Sequence, residues 1–182
     1  ICARLCGPHG TRRKHTAFTM SDTSESSLLV ADGHLQREGG QDRKTIDVAV
    51  GILINAQNQF LLTSRPPGKV YEGYWEFPGG KLEAHETVAQ ALARELEEEL
   101  GLQIEDVQLW RQQLVDYPHA LVRLNFCKVS RWQGTLEMRE GQNHAWQSLP
   151  VAVVPVLPGT VPVLTWLAEE QGFVGQTHAI AI

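Results

Sequence analysis

The sequence predicts an α/β or α+β sandwich with a largely mixed sheet, and three observations carry that prediction. Strand patterns recur along the chain: IDVAVGILI is dense in β-branched residues, and LVRLNFCKV is an apolar alternating run. Helical period is confined to two segments, ETVAQALARELEEEL and VPVLTWLAEEQ. Turn residues separate the strands at short intervals, so the helices must cover a sheet built from several neighbouring strands. At 182 residues and 42% hydrophobic composition, the chain is sized for one domain with a substantial core.

Residues 1–44 hold five glycines, the cluster SDTSESS and no period, which predicts a disordered extension. Within it Met20 opens a second plausible start, MSDTSESS, and the leader before it is basic (Arg4, Arg12, Arg13, Lys14) and free of acid. Such a leader fits an upstream extension, or as a minor alternative an organelle transit peptide. Order is expected from Thr45, giving a domain over 45–172 and a C-terminal tail over 173–182.

IDVAVGILI reads as the first strand, NAQN as a turn and QFLLTSR as the second strand. RPPGKVYEGYW is a proline, glycine and aromatic loop of the kind that carries function, and FPGG is a tight turn. The first helix follows, with Val88, Ala89, Leu92, Leu96 and Leu100 as its apolar stripe and Gly101 as its stop. VQLWRQQLVDY and HALVRLNFCKV are strands parted at Pro118, SRWQGTLEMREGQN is a polar loop, and HAWQSL is a short strand. The proline-rich stretch from Val151 reads as a buried loop entering the second helix.

Composition excludes several functions. Residues 45–182 carry 16 acidic against 9 basic side chains, so the domain lacks the positive footprint of a protein that grips a long nucleic acid. No stretch approaches the roughly 18 uninterrupted apolar residues of a membrane helix. Cys2, Cys6 and Cys127 give neither a metal spacing nor a paired framework, and the seven histidines give no zinc motif. The absence of an apolar signal segment leads to the expectation of a cytoplasmic protein.

The segment GGKLEAHETVAQALARELEEELGL, which contains the first helix, raises the functional question. Like charges three and four residues apart cost a helix about 0.2–0.5 kcal/mol per pair. At about 100° per residue, Glu98 falls about 60° to one side of Glu95 and Glu99 about 40° to the other. Three carboxylates therefore share one face, beside the apolar stripe, while Glu97 points to the far side. Clustered carboxylates near a glycine-rich backbone suit a hard cation such as Mg²⁺ or Mn²⁺, which completes its shell with water and substrate phosphates. A cation offsets the repulsion and lets an acidic protein hold a polyphosphate.

Gly80, five residues, Glu86, seven residues, then Arg94-Glu95-Leu96-Glu97-Glu98-Glu99-Leu100-Gly101-Leu102 resembles the signature of the Nudix hydrolases at all nine fixed positions. The resemblance extends to the MutT branch, which removes oxidised guanine nucleotides, through AVGILI, WEFPGGK, YPHALVRLNF, RWQG and EGQNHAW. It implies an α/β/α sandwich and hydrolysis of a nucleoside diphosphate linked to another group, with Mg²⁺ or Mn²⁺. For the MutT branch it implies release of nucleoside monophosphate and pyrophosphate from a triphosphate such as 8-oxo-dGTP. The partner is then a small nucleotide, with no membrane and a monomer or weak homodimer as the assembly.

By the same resemblance, the Gly80 carbonyl, Glu95, Glu98, Glu99 and the distal Glu140 ligate metal, and Glu95 or Glu98 completes deprotonation of the attacking water. Glu86 and Arg94 form a supporting ion pair. Arg65, Glu76, Phe77, Pro78, Gly79, Lys81 and Tyr117 belong to the substrate side, with His119 beside Tyr117 in a candidate second wall. Thr160 stands where the MutT pattern has an asparagine that reads the base. A hydroxyl lacks the paired donor and acceptor of an amide, so base reading falls to Thr160 or to backbone groups in 156–160. Two other readings stay open: a Nudix hydrolase for ADP-ribose or a dinucleoside polyphosphate, and a silent nucleotide-binding module. The intact glutamate set argues against silence.

Overall fold

The computed structural model describes residues 28–38 and 43–179. Its elements in chain order are β1 (Leu29–Val30), β2 (Thr45–Leu53), β3 (Phe60–Ser64), β4 (Trp75–Glu76), β5 (Gly79–Lys81), α1 (Val88–Leu100), β6 (Gln103–Glu105), β7 (Gln108–Asp116), β8 (Leu121–Val129), β9 (Arg131–Gln133), β10 (His144–Gln147) and α2 (Val161–Gln171). The main sheet has the order β1-β7-β8-β2-β5, with β2 and β8 parallel and β7 and β8 antiparallel. A second sheet, β10-β3-β4, and the ribbon β6-β9 complete a mixed architecture.

Alternation along β2 sets the layers. Ala49 and Leu53 face one core with Leu92, Leu96 and Leu100 of α1, whereas Val50 and Ile52 face the other with Val163, Leu164 and Leu167 of α2. The main sheet therefore lies between the two helices, the expected α/β/α sandwich. At Gly51 a Cβ would meet the Leu92 and Leu96 methyls at 3.2 and 3.3 Å, so the missing side chain lets α1 settle close on β2.

Thr87 caps α1 by accepting from the Gln90 N–H, and the Gln90 side chain answers to the Thr87 N–H. Gly101 ends it in the left-handed region at φ 70°. The helix thus starts after Glu86, and its buried face includes Ala91, not the expected Ala89, which is exposed. Both are small, and the choice of Ala91 follows from where α1 meets the sheet.

Three further expectations are corrected. FPGG is a turn only in part: Gly79–Lys81 is a strand antiparallel to β2, and a Cβ on Gly79 would fall 2.1 Å from the Ala49 carbonyl oxygen. The polar loop after Ser130 begins with β9, paired with β6. Order also begins before Thr45. β1 runs parallel to β7, Ala31 is buried in the core, and Arg37 and Arg43 both pair with Asp116. Residues 1–27 and 39–42 of the expected extension lie outside the described residues. The tail docks as well, through a bridge between Val151 and His178. Among the described residues, no helix is long and apolar enough to cross a membrane.

Candidate active site

Arg94 organises the carboxylate helix. Its Nε and Nη2 donate to the two oxygens of Glu86 at 2.8 and 2.9 Å, its Nη1 to Glu95 Oε1 at 2.8 Å, and its Nη2 also to the Lys81 carbonyl at 3.0 Å. The expected Glu86–Arg94 pair is present, and it ties the loop before α1 and strand β5 to the helix. The Glu86 carboxyl is held down at about 2, first by the hydrogen bonds from the Arg94 guanidinium, then by that from the Glu83 N–H, with the Arg94 charge adding to both.

Glu95 is turned toward β5. A Cβ built on Gly80 would come within 2.0–2.3 Å of the Glu95 carboxylate atoms, so only glycine leaves room for this carboxylate against the strand. Glu99 is half-buried, and its carboxyl is pushed up to about 8. Burial is the main cause, followed by repulsion from Glu140, Glu95 and Glu76. Glu140 belongs to a loop that satisfies the last carbonyls of α1: the Glu137 N–H donates to the Leu100 carbonyl and the Arg139 N–H to that of Glu99. A loop distant in sequence thereby brings its charge to the end of the helix.

Glu98 is 62% exposed and stands 3.5 Å from Arg94 Nη1. Among the described residues, no three His, Cys, Asp or Glu side chains converge into a ready metal cage. The carboxylates instead share a field, with one oxygen of Glu95 occupied by Arg94. That field and the glycine cradle fit a hard cation: oxygen donors are in surplus, and mutual repulsion opposes their ionisation.

Beside this face lies a cavity of about 400 Å³. Gly79, Gly80, Lys81 and Glu95 line its acidic end, Arg65, Glu76 and Phe77 its middle, and Tyr117, His119 and Thr160 its far wall. Most of the expected substrate residues are thus brought together. Pro78 is not among them: it is buried, and its carbonyl accepts from the Gly51 N–H at 2.8 Å. Phe77 lines the cavity from the core, 4% exposed and tilted against Phe60 at 5.6 Å. Arg65 is engaged by Glu76, donating to both carboxylate oxygens at 2.8 and 2.9 Å. Desolvation nevertheless pushes the Glu76 carboxyl up to about 7 against the lowering by Arg65.

Thr160 is buried at the start of α2, where its side chain makes no capping bond. Next to it, a Cβ on Gly159 would lie 2.5 Å from the Tyr117 hydroxyl, which brings the far wall tight against this turn. Sequence reasoning missed Lys69 and Tyr71, both at the cavity. Their only signal was membership of the Pro/Gly/aromatic loop.

The NUDIX domain model matches residues 45–167. The chain is 42% identical over 105 residues to an 8-oxo-dGTP diphosphatase of Haemophilus influenzae, a match that spans 58% of this chain and 77% of that protein. It is 34% identical over 122 residues to a CTP pyrophosphohydrolase of Escherichia coli, spanning 66% and 90%. The solution structure of the E. coli ORF135 protein superimposes with a TM-score of 0.54 at 31% identity, over 68% of this chain and 92% of that one. With the family model matching well over half of the chain and the signature set on a strand–loop–helix unit, the protein belongs to the Nudix hydrolase family.

Proposed function

We propose that the protein is a Mg²⁺-dependent nucleoside triphosphate pyrophosphohydrolase whose preferred substrate is an oxidised purine nucleotide such as 8-oxo-dGTP. It would act on the cytoplasmic nucleotide pool, as a monomer or weak homodimer, to keep damaged precursors out of DNA. The observation that carries the reading is a cavity that runs from Glu95 and the glycine cradle to an aromatic wall. Its volume lies within the roughly 300–1,000 Å³ of small-molecule sites. The similarity to 8-oxo-dGTP diphosphatases supports the choice of base.

The Gly80 carbonyl, Glu95, Glu98, Glu99 and Glu140 would hold the cation, Mg²⁺ or in its place Mn²⁺. When bound, it supplies charge neutralisation of the polyphosphate and a more acidic water. The chain's own residues do the rest. Lys81 and Lys69 face the cavity and offer positive charge to the phosphates. Arg94 takes up Glu95 Oε1, which leaves Oε2 to receive the proton of the attacking water. Attack at the β-phosphorus forms the new P–O bond and breaks the bridge to the α-phosphate, releasing nucleoside monophosphate and pyrophosphate. Tyr117, Phe77 and Thr160 would bound the base.

A panel of nucleotides, with pyrophosphate and phosphate measured separately, tests the reading. Pyrophosphate from triphosphates, fastest with 8-oxo-dGTP, is expected. Cleavage confined to ADP-ribose or dinucleoside polyphosphates refutes the substrate class, and binding without turnover refutes catalysis. The similarity to a CTP pyrophosphohydrolase makes CTP a necessary member of the panel.

A further inference from the structure

The segment from Leu28 to Glu38 lies outside the matched family domain, yet it touches both loops that carry the aromatic wall of the cavity. We infer that this segment is a strap that fixes the shape of the nucleotide pocket, with Asp32 as the positioning residue that holds Tyr71 in the cavity wall. The inference rests on the reading that this cavity binds the nucleotide.

On one side the strap grips the turn between β7 and β8. The Ala31 N–H donates to the Asp116 carbonyl at 3.0 Å and the Glu38 N–H to the Pro118 carbonyl at 2.7 Å. Arg37 Nη2 donates to the Ala31 carbonyl at 2.6 Å, and its Nε lies 3.5 Å from Asp116 Oδ1, which locks the strap to the strand end. That turn presents Tyr117 and His119 to the cavity.

On the other side, the Tyr71 hydroxyl donates to the Asp32 carboxylate. Tyr71 belongs to the loop between β3 and β4 and lines the cavity itself. Its ring stands 5.9 Å from Tyr117 and 6.3 Å from His119, so the three rings form one wall contributed by two loops. Asp32 is the only described acceptor for the Tyr71 hydroxyl.

The backbone strengthens the case. Tyr71 sits in the left-handed region at φ 61°, and Asp32 does so at φ 47°. An aspartate tolerates that conformation, whereas for a bulky residue it is an outlier that the surroundings must sustain. The loop is closed locally by the Tyr74 N–H donating to the Tyr71 carbonyl and the Gly73 N–H to that of Arg65, both at 3.0 Å. The Tyr71 ring also packs on the core and beside Tyr117, and the bond to Asp32 adds the polar contact that fixes its hydroxyl end. Without it, the ring would keep only its apolar contacts, its hydroxyl end would be free to shift, and each substrate would bear the cost of reordering it.

The experiment compares the full chain with Asp32→Ala, Asp32→Asn, Tyr71→Phe and the double variant Asp32→Ala/Tyr71→Phe. Steady-state kinetics use the best triphosphate from the panel, and amide hydrogen exchange is read at residues 70–74 without substrate. Asp32→Ala and Tyr71→Phe should each raise KM by about three- to tenfold with kcat within about twofold, and the double variant should add little to either. Asp32→Asn keeps an acceptor and should restore most of KM. Exchange at Gly73 and Tyr74 should speed up in Asp32→Ala and Tyr71→Phe. If Asp32→Ala fails to fold, Tyr71→Phe removes the same bond from the other partner and decides the matter. Unchanged KM, additive effects in the double variant, or unchanged exchange overturns the strap. A wild type that cleaves no triphosphate sinks the functional reading instead, and exchange then decides the strap alone.

Discussion

Gly80→Ala separates catalysis from stability more sharply than any other single change. The added Cβ would lie 2.0–2.3 Å from the Glu95 carboxylate atoms, where ordinary contact begins at 3.4 Å. The carboxylate must therefore retreat by about 1.1–1.4 Å. It can do so, because the obstructing atoms are the end of a flexible side chain and Gly80 itself is in extended strand. The stability cost is the loss of the part-exposed Arg94–Glu95 contact, about 0.2–1 kcal/mol. The catalytic cost is larger: misplacing a reacting group by about 1 Å lowers turnover by roughly a hundredfold. Turnover with Mg²⁺ and urea unfolding, measured on the same preparation, give both numbers. A folded variant with kcat within about threefold of wild type refutes the placement of Glu95 in the chemistry.

Three other outcomes follow from the same geometry. Glu98→Gln removes one charge from an exposed position, so turnover should fall at least about tenfold while metal-free stability holds or rises slightly; unfolding with normal specific activity would make Glu98 structural. Glu99 and Glu76 have folded-state pKa values raised to about 8 and about 7 from an ordinary 4.5, so their protonation favours the folded state. Metal-free stability should decline between pH 4.5 and 8, and added Mg²⁺ should restore more stability at pH 8 than at pH 6; melting curves with and without Mg²⁺ check this, and a Mg²⁺ effect independent of pH contradicts it. Thr160→Val removes a buried hydroxyl at the cavity, worth about 1–3 kcal/mol if it pairs with the base, and should narrow the preference for 8-oxo-dGTP over dGTP by roughly ten- to a hundredfold. An unchanged ratio assigns base reading to another part of the wall.

The sequence was most legible where a pattern is local. The 3.6-residue period, Gly101 and the charge spacing of α1 placed the helix to within two residues, because propensity, cap and burial agree there. The β-branched density of β2 and the apolar alternation of β8 likewise announced strands, which pair over nine positions. What stayed hidden depends on distant partners. β1 is two residues long and exists only because β7 offers it an edge, so no period marks it. β6 and β9 are three-residue strands separated in the chain by all of β7 and β8, so each finds its partner only once that pair has folded back. In the site, the Glu86–Arg94 pair was readable because the motif fixes both ends, whereas Tyr71 entered through a bond to a residue 39 positions earlier. Pro78 was misplaced for a related reason: its neighbours face the cavity, but its own carbonyl is committed to β2.

The most direct test of the central claim is a competition. The protein, with Mg²⁺, is offered a small amount of 8-oxo-dGTP in excess dGTP and CTP, and all products are resolved by chromatography. 8-oxo-dGTP should be consumed first and appear as 8-oxo-dGMP with one pyrophosphate per turnover. Release of inorganic phosphate with a nucleoside diphosphate, or consumption of the three nucleotides in proportion to their concentrations, would contradict it.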